Sequence, residues 1–123
     1  MTINEAIAQV NRTRQNRIPD DVMIRWLSNL DHQIYEEVIK TREGWESVSF
    51  TPYGADDGEK TLLVPPPYDE MYIYKLEASI YYEQREINKY ATSMTMFNAV
   101  MEQYMKKYNR EHRALDLPAA RFW

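Results

Sequence analysis

Three consecutive prolines at positions 65–67 divide the 123-residue sequence near its middle and limit what it can fold into. Proline has no amide donor and its ring clashes with the preceding helical turn. Such a run ends any strand and cannot lie inside a helix. Tyr68, Asp69 and Glu70 follow at once, placing acids where the first amides of a new helix point, so the boundary is sharp.

On the N-terminal side, Thr2 and Glu5 match a capping box, and Ile3, Ile7 and Val10 follow at helical spacing, which predicts a first helix to about Arg14. Gln15 to Ile18 break the pattern. Pro19 then presets its own φ, and Asp20 and Asp21 again favour a helix start. Met23, Leu27, Leu30, Ile34 and Val38 recur at steps of four and three, so a second helix turns one stripe to a core and leaves Arg25, Asn29, His32 and Glu36 largely outside.

From Trp45 to Val64 the period changes. Val48 and Phe50 alternate with Ser47 and Ser49, and Thr61 to Val64 is a second β-favouring run, which together predict a β-hairpin at about 45–64. The connection from Pro52 to Lys60 carries Gly54, Asp56, Asp57 and Gly58 and is too long for a two-residue turn, so its tip is expected to be mobile.

Beyond the prolines, a third helix is expected to about Tyr90, burying Ile73, Leu76, Ile80 and Ile87. Tyr72, Tyr74, Tyr81 and Tyr82 spread aromatic surface around it. A fourth, from about Ser93 to His112, repeats the pattern with Met94, Phe97, Met101, Tyr104 and Tyr108, and Glu102 precedes Lys106 by one helical turn. The expected fold is mainly α: a four-helix bundle over 1–114 with a hairpin inserted between helices two and three. A C-terminal arm, 115–123, contains Pro118 and ends on Arg121, Phe122 and Trp123.

Little in this sequence points to catalysis. His32 and His112 lie far apart without ligand-spaced companions, and there is no cysteine, so neither a zinc site nor a thiolate nucleophile is expected. Asp56, Asp57 and Glu59 lack the ligand order of an EF-hand and read as an ordinary acidic loop. Three glycines cannot form a phosphate-cradling loop, and no nucleophile elbow or assignable pair of carboxylates is present. The expectation is a protein that is not an enzyme and needs no cofactor. A net charge of -4 argues against coating nucleic acid. Lys106, Lys107, Arg110 and Arg113 more simply complement the negative end of the fourth helix. No run approaches the roughly 18 apolar residues of a membrane span. The start, Met1 to Val10, lacks the order of a signal peptide, and a protein kept inside a cell is expected.

Ile18-Pro19-Asp20-Asp21 leading into Ile24-Arg25-Trp26-Leu27, the hairpin, Pro65-Pro66-Pro67-Tyr68-Asp69-Glu70, and Met96-Phe97-Asn98-Ala99 through Tyr108-Asn109-Arg110 form one pattern. Together they resemble tailed-bacteriophage head-tail connector (adaptor) proteins over nearly the whole chain. The resemblance implies a virion protein at the head-tail interface, made in the host cytoplasm and forming a ring of about twelve copies beneath the portal protein. The DNA channel then passes through the ring toward a downstream neck or tail protein, with no sequence-specific contact. A stopper or tail-completion protein would share these features. A small helical DNA-binding or regulatory protein is the reading from another class, and the acidity of the chain weighs against it.

Three surfaces are singled out on this reading. Tyr74, Tyr81 and Tyr82 lie off the expected core stripe and are candidates for contact between subunits through the second and third helices. Tyr53, Asp56, Asp57 and Glu59, in the hairpin loop, are candidates for the channel or the next ring, where stacked acids would repel phosphate. Leu115, Leu117, Arg121, Phe122 and Trp123 are candidates for anchoring to the portal; the alternative is that the two terminal aromatics cap the chain's own helices.

Overall fold

In the computed structural model, which describes residues 1–115, four α-helices carry the fold: α1 Ile3–Thr13, α2 Asp20–Glu37, α3 Glu70–Glu83 and α4 Ile87–Glu111. Each of the first two starts as its residues dictate. The Thr2 hydroxyl accepts the Glu5 amide at 3.1 Å while Glu5 accepts the Thr2 amide at 3.0 Å, closing the capping box. Pro19 stands as the N-cap of α2, and its carbonyl accepts the Val22 amide at 3.1 Å. The expected stripe of Met23, Leu27, Leu30, Ile34 and Val38 is buried, and Arg25, Asn29, His32 and Glu36 are exposed.

Helices α1, α2 and α3 enclose the core, where Ile3, Val10, Met23, Leu27, Ile34, Met71, Leu76 and Ile80 are fully buried. Leu62 and Val64 of the long α2–α3 connection seal it. Helix α4 packs along α3 and reaches neither α1 nor α2 with its backbone, so it stands as a ridge on the outside of the bundle. Its inner stripe runs through Ser93, Phe97 and Tyr104, the last of which stacks toward Tyr68 just after the prolines.

Two expectations are corrected. The β-hairpin is absent: the described residues contain no strand, and only isolated bridges, Thr2 with Thr61 and Arg42 with Ala114, occur. Two short 3₁₀ turns, Ile39–Thr41 and Trp45–Ser47, precede an irregular segment. The reason lies in where its backbone groups find partners, since each buried amide or carbonyl must have one. The Val48 carbonyl accepts the Tyr35 hydroxyl at 3.2 Å, and the Tyr53 amide donates to Ser28 Oγ at 3.0 Å. The Leu63 amide donates to Asp31 at 3.1 Å, and the Val64 amide donates to the Tyr72 hydroxyl at 2.9 Å. Lys60 and Gly58 give their carbonyls to the amides of Ile3 and Asn4. Side chains of α2 and α3 and the start of α1 thus take the places a partner strand would fill.

The second correction moves the break between helices three and four from about Tyr90 to Gln84–Glu86. The Glu86 amide donates to the Tyr81 carbonyl at 2.9 Å and the Arg85 amide to the Tyr82 carbonyl at 3.1 Å, the paired bonds of a Schellman cap. Arg85 holds the left-handed conformation at φ 60° that glycine usually takes there. Ile87, expected on the core stripe of helix three, instead begins α4 and is 59% exposed.

Candidate functional site

The polar centre of the molecule is Asp31, fully buried on the apolar face of α2. Its Oδ1 accepts the Tyr72 hydroxyl at 2.6 Å, and its Oδ2 accepts the Tyr53 hydroxyl and the Leu63 amide. Burial pushes the Asp31 carboxyl above its ordinary value, and the hydrogen bonds from Tyr53, Tyr72 and Leu63 only partly oppose that. Both phenols are in turn pushed up, by burial first and then by their bond to and the charge of Asp31. This network lies largely inside the molecule and ties the long connection to the bundle; its chemistry is that of a fastening. Tyr72, expected among the surface aromatics, is fully buried in it. Tyr53, expected to reach the channel or the next ring, is half-buried with its hydroxyl committed to Asp31.

Of the remaining loop candidates, Glu59 alone reaches α1. Asp57 accepts the Gly54 amide at 2.6 Å and pairs with Lys60 at 3.4 Å, and the backbone bond holds its carboxyl below the ordinary value. Glu59 accepts Asn4 Nδ2 at 3.2 Å, and Asp56 is exposed.

The surface candidates converge on α3 and α4. Because α3 is the one helix whose backbone lies close to that of α4, a groove opens on each flank of the α3–α4 pair. The first, between α4 and the end of α1, is a hollow of about 350 Å³ walled by Tyr74, Tyr81 and Met96, with Arg14, Glu77 and Lys89 around it. Arg14 bridges its sides: Nη2 lies 3.6 Å from Glu77, Nη1 donates to the Thr13 carbonyl at 2.8 Å, and the guanidinium sits 5.9 Å from the centre of the Tyr81 ring. The buried Nε of Arg14 finds no acceptor among the described residues. Lys89 approaches the other side of the hollow, 5.7 Å from the Tyr81 ring and 2.9 Å from Glu86, whose hydrogen bond raises the lysine's pKa.

The second groove, between α4 and α2, is a smaller space of about 230 Å³ bordered by Trp26, Lys75, Tyr82 and Tyr90. Tyr82 stands out of it, 60% exposed, with its ring 5.5 Å from that of Tyr90. The three tyrosines expected to share one subunit contact are therefore divided, Tyr74 and Tyr81 in one groove and Tyr82 at the other. Exposed apolar side chains continue along the ridge with Ile87, Met96 and Met105.

The basic cluster at the end of α4 is partly neutralised, Lys106 by Glu102 at 3.0 Å and Lys107 by Glu111 at 3.1 Å. His32 lies against Phe50, and His112 stacks on Tyr108 at 3.9 Å with its Nδ1 on the Tyr108 carbonyl. Among the described residues no group of three or more His, Asp or Glu is placed to hold a metal ion. No helix of the described residues is long and apolar enough to cross a membrane. Leu115 donates its amide to the Thr41 carbonyl at 3.1 Å, so the last described residue is held beside the end of α2. The other arm candidates, Leu117, Arg121, Phe122 and Trp123, lie outside the described residues.

Sequence reading missed Asp31 and Arg14. Asp31 had a signal: it falls four residues after Leu27 and three before Ile34, an acid within an apolar stripe. Arg14 had none, because its role depends on where α3 and α4 lie. No protein-family model, curated protein or solved structure matches this chain.

Proposed function

We propose that the chain is a structural subunit that assembles with copies of itself into a ring, and that this ring is a head-tail adaptor at the neck of a tailed bacteriophage. The observation that supports self-assembly is the ridge: among the helices α4 packs on α3 alone and leaves a groove on each flank, with Tyr82, Ile87 and Met96 exposed at 60%, 59% and 43%. Large apolar side chains left exposed on both flanks of one ridge offer surface for contact with another copy. The placement at the neck rests on the resemblance of the α2 start, the proline run and the α4 sequence to adaptor proteins. The resemblance no longer includes the hairpin, one of the four features on which it was read, and rests on the other three.

On this reading the ring sits between the portal and the tail, and DNA passes through without base-specific contact. The arm from Leu115 to Trp123 is the portal anchor, since a large terminal aromatic buries on the order of 150–250 Å² in a partner pocket. The test uses the purified full chain with a portal ring. Electron microscopy should show a second ring stacked on the portal, and removal of residues 118–123 should abolish that stacking while the melting temperature holds. A chain that ignores the portal but binds duplex DNA tightly at raised salt would replace this reading with a regulatory one.

A further inference from the structure

We propose that Leu117 seats in the hollow between the end of α4 and the α2–α3 connection, so that the C-terminal arm is rooted on its own chain and only its last residues serve a partner. The contact lies within one copy and stands whether or not copies assemble. Its division of the arm into a root and an anchor rests on the anchor reading above.

The first ground is the hollow. It measures about 230 Å³ and is walled mainly by Ile39, Val48 and Leu63 on one side and by Tyr104, Tyr108 and His112 on the other. An apolar cavity of about 150 Å³ already admits a benzene ring, so this one takes a branched aliphatic side chain. The charges on its rim, Lys107 and Glu111, pair with each other at 3.1 Å, and the occupant it suits is therefore apolar.

The second ground is where the chain enters the arm. The Glu43 amide donates to the Arg113 carbonyl at 2.7 Å and the Leu115 amide to the Thr41 carbonyl at 3.1 Å, which lays 113–115 antiparallel to 41–43. The arm thus starts pinned to the 3₁₀ turn Ile39–Thr41, and Ile39 is a wall of the hollow. That turn rises about 4 Å from Thr41 back to Ile39, while two extended residues span about 7 Å. Leu117 is the first apolar side chain past the tether and is within reach. Phe122 and Trp123 could return to the same place only by ordering residues 118–121 as well.

The third ground is that the tether is too weak alone. Arg113 and Ala114 are exposed and Leu115 is half-buried, so the pairing gains little from burial. Two backbone hydrogen bonds near solvent do not offset the entropy of fixing three residues, and an isolated pair of extended segments is marginal in water. Burial of a leucine just beyond the pairing supplies what it lacks.

The full-length chain has no cysteine, which permits a test by disulfide trapping. Arg42→Cys with Ala114→Cys, directly opposed in the pairing, is the reference. On mild oxidation, Val48→Cys with Leu117→Cys should lose both thiols as fully as the reference and run at the mass of one chain, whereas Val48→Cys with Phe122→Cys should not. Leu117→Asp should speed hydrogen exchange at the Leu115 amide about tenfold and lower the melting temperature by about 3–5 °C, and deletion of residues 118–123 should change neither. A link from position 122 and none from 117 would overturn the assignment in favour of a terminal aromatic. Linked dimers in place of single chains would overturn it in favour of an arm exchanged between copies. A reference that links while neither 117 nor 122 does would show that the arm leaves the hollow open. Stacking on a portal that survives deletion of 118–123, with the link from 117 intact, would remove the anchor and leave the root standing.

Discussion

Tyr72 on α3 donates its hydroxyl to Asp31 on α2 at 2.6 Å, joining residues 41 apart in sequence, and the same oxygen accepts the Val64 amide at 2.9 Å. One phenol therefore satisfies both a buried carboxylate and a buried backbone donor. Tyr72→Phe keeps the ring and removes both bonds, leaving the Val64 amide and Asp31 Oδ1 unpaired while Oδ2 keeps Tyr53 and Leu63. The expected loss is about 2–4 kcal/mol, since each orphaned buried polar group costs about 1–3 kcal/mol. Urea unfolding followed by circular dichroism measures it. A loss within experimental error would mean that the network contributes little to the fold.

The same network has a predictable response to acid. In its folded setting Asp31 titrates above its ordinary 3.8, so between the two values the folded chain holds a proton that the unfolded chain releases. Its contribution to stability is therefore fullest at low pH and declines as pH rises through that window, then stays level. Glu5 and Asp57 act in the opposite sense. Their carboxyls are held below 4.5 and 3.8 by hydrogen bonds to the Thr2 and Gly54 amides, so their contributions are lost as pH falls. Unfolding free energies of the wild type and Asp31→Asn, compared from about pH 3 to 7, should differ in a way that moves against the wild type as pH rises. A difference that moves toward the wild type with rising pH would contradict this.

At the α3–α4 corner, Arg85 occupies a left-handed conformation at φ 60°. That conformation costs a side-chain-bearing residue roughly 1–2 kcal/mol, partly offset in glycine by its greater freedom when unfolded. Arg85→Gly should stabilise the chain by about 0.5–1 kcal/mol, readable as a melting temperature raised by a few degrees. Arg85→Val should do the reverse.

A fourth expectation concerns the loop against α1. A Cβ added at Gly58 would stand 2.3 Å from Asn4 Oδ1, at the end of an exposed and adjustable side chain. Gly58→Ala should therefore cost about 1 kcal/mol, chiefly through the displaced Asn4 bond to Glu59. In an Asn4→Ala background the same change should be nearly neutral. Equal costs in both backgrounds would place the strain in the backbone instead.

Much of this architecture is legible in the sequence where the cause is local. The capping box at Thr2 and Glu5, the α2 stripe and the boundary at Pro65–Pro67 depend on residues within a turn or two of one another, and the structure places them as read. The connection was misread because Val48, Phe50 and Thr61–Val64 carry strand propensity but find their partners in Ser28, Asp31, Tyr35 and Tyr72, which lie on helices. The α3–α4 corner was misplaced because its left-handed residue is an arginine, where the usual sequence signal is glycine. Of the candidate contact residues, the exposure of Tyr82 followed from its position on the helix. Its separation from Tyr74 and Tyr81 did not, because that is decided by the line along which α4 lies on α3.

The irregular connection also bears on what surface the chain presents to other chains. A hairpin would have given each copy an open strand edge, with unpaired amides and carbonyls to which any other extended chain could add. Among the described residues there is no such edge, and the backbone that would have formed it is bonded inward to α2, α3 and the start of α1. Any association of copies would then have to rest on side-chain contacts and not on main-chain hydrogen bonds. Growth by strand addition has no natural end, and the described residues withhold the template for it.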